Sequence, residues 1–240
     1  QHHALLFMGL AQRGAGRVLQ VEIGEPVVDQ VDGQVVHPEP AVAPLQCGRV
    51  GDHRAQAMPL EQPLEQQELG VKVLLLGRLV DDGDAGDTYN WSPPTGDHVV
   101  ARPEDVVVLV SEAGPIRGRM EIVRRYRWPT HVENDQRVGA TEVDVTMVVE
   151  VHAGEDLVRV SIELDNSCED HRLRVLLPLP ERATESVAEC AFGTVRRGLD
   201  VEGGPNEVGL PTFPSRRFVA AGGLLAVHEG LSEYELVDIE

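Results

Sequence analysis

The chain has 240 residues, with 24 glycines, 16 prolines, 4% aromatics and a formal charge of −19, a length that suits one large all-β unit or two modest domains. That charge excludes a nucleic-acid backbone as partner, because holding one takes a cationic face that releases counterions, and it disfavours an anionic membrane surface. A soluble protein with a neutral partner fits the balance.

The first stretch, residues 1–76, stands apart in composition. Ten of the eleven glutamines lie at or before Gln67, and no serine, threonine, asparagine, tyrosine or tryptophan occurs before Gly77. A folded domain of that length normally needs such residues for caps and turns. The phrases "QVEIGEPVVDQVDGQVV" and "PLEQPLEQQ" are punctuated by proline and hold no sustained period. Residues 1–76 are therefore expected to be a disordered arm, a linker or a wrong-frame translation, with an ordinary β-rich segment of odd composition as the alternative. The opening run "ALLFMGLA" is too short to span a bilayer and lacks a cationic lead-in, so it makes a poor signal peptide. The chain begins at Gln1 and reaches Glu240 in a strand-like phrase, so the 77–240 unit is expected to be cut at both ends. Cys47, Cys168 and Cys190 are widely spaced and form no CxxC pair, which suggests neither a zinc knuckle nor a disulfide framework. A reducing compartment, the cytoplasm, is the expectation.

From residue 77 the pattern turns regular. "DVVVLVSEA" and "RGRMEIVRRYRW" read as strands. "TEVDVTMVVEV" sets Val143, Val145, Met147, Val149 and Val151 on one face, with Glu142, Asp144, Thr146 and Glu150 on the other. "HAGED" supplies a turn, and "LVRVSIELDN" alternates again with Val158, Val160, Ile162 and Leu164 inward. "NSCED" turns the chain, "HRLRVLLPLP" returns, and "RFVAAGG", "LLAVHEG" and "EYELVDIE" are further strands. Period-two alternation with short loops is the mark of an antiparallel meander with one buried face. The expected fold is all-β, an antiparallel β-sandwich.

The segment "DDGDAGDTYNWSPP", Asp81 to Pro94, reads as a loop, since glycine permits turns, aspartate supports them and Pro93-Pro94 cannot continue a ladder. A calcium loop starting at Asp82 would need glycine at its sixth position and glutamate at its twelfth, and Asp87 and Pro93 stand there instead. A loop so rich in carboxylates also repels phosphate. What remains is a solvated turn or aromatic anchor, or a loop offering Asp87, Tyr89, Asn90 and Trp91 to a neutral polyol, whose C–H patch meets an aromatic face while its hydroxyls meet carboxylates and amides. "RRYRW", Arg124 to Trp128, is expected to be an exposed edge balancing the acidic surface. The nine histidines form no HxH or HxxxH pair and no G-x-S-x-G elbow occurs, so no catalytic residue and no metal ligand is assigned.

Four stretches taken together, "DDGDAGDTYNWSPP", "VRVSIELDNSCEDHRLRVLLPLP", "SVAECAFGTVRRGLD" and "LLAVHEGLSEYELVDIE", resemble the C-terminal β-sandwich region of glycoside hydrolase family 38 α-mannosidases, in the bacterial branch that includes mannosylglycerate hydrolases. The resemblance covers about residues 77–240 and does not reach 1–76. It implies a fragment of a galactose-mutarotase-like supersandwich, belonging to a retaining, exo-acting, zinc-dependent hydrolase of α-mannosides. The nucleophile and zinc would sit in a catalytic barrel absent from this chain. It also implies two sugar-contacting residues: Tyr89, matching a family tyrosine that touches the bound mannose, and Arg197, matching a family arginine after the "FG" element, with Arg196 as its rival. The expected partner is an α-mannoside, reached through the parent enzyme, with no nucleic acid, no membrane and room for a homo-oligomer. The alternative is a non-catalytic carbohydrate-binding or structural β-sandwich module.

Overall fold

Two antiparallel sheets pack face to face. The computed structural model describes residues 3–10, 17–24, 76–86, 91–201, 203–205 and 209–239, and among these no helix occurs. In chain order the strands are β1 (His3–Leu10), β2 (Arg17–Gly24), β3 (Arg78–Gly83), β4 (Asp105–Ala113), β5 (Arg117–Trp128), β6 (His131–Glu133), β7 (Gln136–Val138) and β8 (Thr141–His152). They continue with β9 (Leu157–Leu164), β10 (His171–Pro178), β11 (Ser186–Cys190), β12 (Gly193–Arg197), β13 (Phe213–Pro214), β14 (Phe218–Ala221), β15 (Leu224–Glu229) and β16 (Glu233–Ile239). The small sheet runs β13-β16-β1-β10-β3, the large one β12-β11-β14-β15-β2-β9-β8-β5-β4, and β6-β7 forms a separate hairpin.

The alternation of β8 and β9 puts Val143, Val145 and Met147 beside Val160, Ile162 and Leu164, all buried. Opposite them the small sheet presents Leu79, Leu173, Val175, Leu177, Phe213 and Tyr234 to the same core. Burying one such aliphatic side chain stabilises the fold by roughly 1.5–3 kcal/mol, so these facing rows are what hold the sheets together. The β6–β7 connection is a two-residue turn whose Asn134 and Asp135 both have positive φ, 51° and 62°; this suits a type I′ hairpin, the turn that matches strand twist and tolerates asparagine and aspartate.

Three features bear on the expectations. β5 is flanked by β4 and β8, so "RRYRW" is no edge. Its alternation buries Arg124, Tyr126 and Trp128 and leaves Arg125 and Arg127 exposed. The buried arginine is tolerated because its guanidinium donates to the carbonyls of Leu76 (3.0 Å) and Gly77 (3.3 Å). Second, the segment read as a loop from Asp81 begins as strand: Asp81 to Gly83 belong to β3 and pair with β10. Third, β1 and β2 lie within the stretch set apart by composition, and each is paired on both sides, β1 between β16 and β10, β2 between β15 and β9. Residues 25–75, including Cys47, lie outside the described residues.

Candidate functional site

The aspartate-glycine segment leaves the small sheet at the end of β3, and strand geometry decides what its first two carboxylates do. Successive side chains in a strand point to opposite faces, so Asp81 turns toward the core and Asp82 outward. Asp81 is wholly buried and sits between the Arg137 guanidinium (Nη2 to Oδ2, 2.6 Å) and the His171 imidazole (Nδ1 to Oδ1, 2.5 Å). Arg137 also donates to the carbonyl of His98 at 2.8 Å. One carboxylate thus ties β3, β7 and β10 together beneath the loop.

On the outer face Asp82 accepts from Arg174 at 2.8 Å, and Arg174 also reaches Glu235 at 3.2 Å. Burial pushes the Asp82 carboxyl up to about 6, with Arg174 and then Arg172 pulling it back, and burial likewise raises Glu235 against the pull of Arg174. Asp82 Oδ1 is buried without a hydrogen-bond partner. The Arg174–Glu235 pair spans β1, whose Gly9 is in register with Arg174 on one side and Glu233 on the other. Beside it Arg172, 5% exposed, donates to Glu233 (2.8 Å) and to the Thr212 hydroxyl (2.9 Å).

The loop closes onto this platform. The Trp91 ring lies 4.5 Å from the Arg172 guanidinium, and its indole N–H donates to the Gly83 carbonyl at 3.0 Å. Gly83 N–H donates to Asp97 at 3.0 Å, and Asp84 accepts from the N–H groups of both Gly86 and Ser92 at 3.0 Å. The aspartates therefore act as turn anchors, binding the loop's own backbone, and both described flanks, Gly86 and Trp91, are fixed. Asp87, Tyr89 and Asn90, nominated from sequence, lie outside the described residues.

Arg197, nominated with Arg196 as rival, is half-buried at the end of β12. Its guanidinium lies 5.2 Å from the Phe213 ring and 3.9 Å from Cys190 Sγ. Burial works against its charge, but hydrogen bonds to Tyr234 and Cys190 outweigh it and raise its pKa. Arg196 points to solvent and pairs with Glu185. Arg172 holds Thr212 and Arg197 covers Phe213, so the loop platform and Arg197 flank two consecutive residues.

Sequence reasoning missed Arg137, Arg172, His171 and Glu233 as parts of this platform. The usable signal was alternation: "HRLRV" places Arg172 and Arg174 on one face, and "EYEL" places Glu233 and Glu235 on one face of a strand in the same sheet. Among the described residues no three metal-binding side chains converge, and beside the tightest pair, Asp81 and His171, the third place is taken by the Arg137 cation.

No protein-family model and no curated protein matches the chain. Among solved structures it is similar to an α-mannosidase from Enterococcus faecalis V583, with a TM-score of 0.53 and 18% identity over 68% of this chain. It is similar also to a glycosyl hydrolase family 38 protein from Enterococcus faecalis, with a TM-score of 0.51 and 17% identity over 68% of this chain. The match spans 26% of each of those chains. At these identities the likeness is one of fold.

Proposed function

We propose that this chain is the accessory β-sandwich of an α-mannosidase of the glycoside hydrolase family 38 kind, hydrolysing α-mannosides with a nucleophile and a zinc ion housed in a separate catalytic unit. The observation that carries the reading is the charged platform at the end of β3: both flanks of residues 87–90 are bound to the sheet through Asp84, Asp97, Arg172 and Trp91. Fixed flanks lower the entropic cost of a contact made between them, and a tyrosine hydroxyl such as that of Tyr89 can donate to a sugar hydroxyl without a shifted pKa. The fold likeness to two solved proteins of this kind supports the same reading. In that role Tyr89 is a sugar contact and Arg197 a second one, with substrate specificity set together with the catalytic unit.

The test takes the 240-residue chain with 4-nitrophenyl α-mannoside, with and without added zinc, and follows the Trp91 indole N–H by NMR during a mannose titration. No turnover and no shift of that resonance are the expected results. Sustained hydrolysis by the chain alone overturns the accessory reading. A saturable millimolar shift moves the assignment to the alternative, a free-standing carbohydrate-binding module.

A further inference from the structure

Among the described residues, the outermost strand of the large sheet, β4, has a neighbour on one side only, β5. All nine of its residues are exposed, and Val106 to Val110 form an unbroken apolar run, each residue 41–62% exposed. Through the register with β5, Val106, Val108 and Val110 share the inner face with Arg124, Ile122 and Met120, while Val107 and Leu109 point outward. The small sheet ends at β3, whose Leu79 N–H is already taken by the Tyr126 hydroxyl at 3.1 Å. Among the described residues, neither face of β4 is covered. Free edges are ordinarily blunted by a mid-strand charge, a proline or extreme shortness. None of these interrupts Val106 to Val110; a register shift between Val110 and Glu112 is the one irregularity.

We propose that β4 pairs with the β4 of a second copy of this chain, antiparallel about a two-fold axis at Val108, joining two large sheets into one. Opposed residues in an antiparallel ladder share a face, so the axis must pass through a residue. At Val108 the run is its own chemical mirror: Val106 meets the partner's Val110, Val107 meets the partner's Leu109, and Asp105 meets the partner's Ser111. Charge favours this edge as well. The chain carries −19 overall, yet residues 105–128 hold five arginines against three acids. Asp105 is in register with Arg125, and Glu112 lies 3.5 Å from Arg117. The acidic excess that repels two copies elsewhere is absent where they would meet. The opposite edge, β12, offers Thr194, Arg196 and Arg197 in place of an apolar run, and a β4-to-β12 contact would propagate as an open filament where the two-fold one closes.

A single strand edge buries less than the ~800 Å² per partner of a standard interface, so the dimer is expected to be weak. Sedimentation velocity over a wide concentration series should show the mass rising from 26.2 kDa toward twice that value, more readily as salt screens the net charge. Val107→Lys and Val108→Lys, at positions 56% and 52% exposed, should each leave a folded monomer by circular dichroism, whereas Val227→Lys on β15, 41% exposed, should still dimerise. Under mild oxidation Val108→Cys should form a disulfide-linked dimer above the wild-type background, and Val106→Cys should not. A wild type that stays monomeric throughout, lysine variants that dimerise unchanged, or cross-linking through Val106→Cys but not Val108→Cys would each overturn the proposal.

Discussion

Lowering the pH should destabilise this protein through one imidazole. His228, on β15, is 4% exposed, and its Nε2 lies 2.8 Å from the Ser215 hydroxyl. That hydroxyl donates to the Phe218 carbonyl at 3.1 Å, so it accepts from His228, which fixes the neutral tautomer with the proton on Nε2. Nδ1 is left buried without a partner, and a second proton there would meet no acceptor. Burial accordingly lowers the pKa from 6.5 to about 4, with Glu189 pulling the other way. Of the neighbouring charges, Arg217 forms an ion pair with Glu189, and Arg216 donates its backbone N–H to the Glu189 carbonyl.

Because the folded state binds the proton less readily than the unfolded chain, the stabilisation is complete above about pH 6.5 and declines as pH falls toward 4. Linkage puts the loss at about 2 kcal/mol at pH 5 and about 3 kcal/mol once both states are protonated. Urea unfolding followed by tryptophan fluorescence, with Trp128 fully buried as reporter, should be run at pH 7 and pH 5 on the wild type and on His228→Gln. The glutamine amide can still donate to Ser215 but does not titrate. Asp82 and Glu235, whose carboxyls are also raised, are common to both proteins and cancel in the difference. The wild type should lose about 2 kcal/mol more than the variant. Equal losses, within about 0.5 kcal/mol, would refute the assigned tautomer and its burial.

Two further substitutions probe the frame around the loop. Arg137→Met strips the buried Asp81 of its guanidinium and should cost roughly 3–5 kcal/mol in urea unfolding, with faster amide exchange at Gly83 and Trp91; a loss under about 1 kcal/mol would mean that Asp81 is held by His171 alone. Gly139 and Gly154 separate strain from collision, since both have positive φ (73° and 81°) but a Cβ at Gly139 would stand 2.1 Å from Thr130 Oγ1 whereas one at Gly154 meets nothing within 4 Å. Gly154→Ala should cost about 1 kcal/mol, and Gly139→Ala clearly more; equal costs would show that Thr130 yields freely.

The strands with strict alternation were legible in the sequence, and for a physical reason. β8 through Met147 and the second half of β9 bury one side chain in two, so the pattern of their apolar residues is the pattern of their packing. β5 defeated the same reasoning because its inward positions include Arg124, a charge that sequence statistics place outside; the carbonyls of Leu76 and Gly77, distant in the chain, and the Met147 sulfur accept its hydrogen bonds. The carboxylates of β3 misled in the same direction: "DDG" has turn composition, but Arg137, His171 and Arg174 give the aspartates partners inside a strand. Partners 47 to 92 residues away leave no trace in a local window. β4 shows the converse, since it was read correctly as a strand while its exposure follows from sheet order. Of the nominated contacts, Arg197 is described and Tyr89 lies outside the described residues.

The place of β1 and β2 bears on how the chain reaches this state. β1 sits between β16 and β10, with His3 opposite Ile239, and β2 sits between β15 and β9. Both sheets are joined by pairing residues 3–24 with strands drawn from residues 157–239, so β1 and β2 gain their neighbours only once that later stretch has been made. Pairings so distant in sequence make refolding slow and leave the newborn chain exposed to misassociation in the interval.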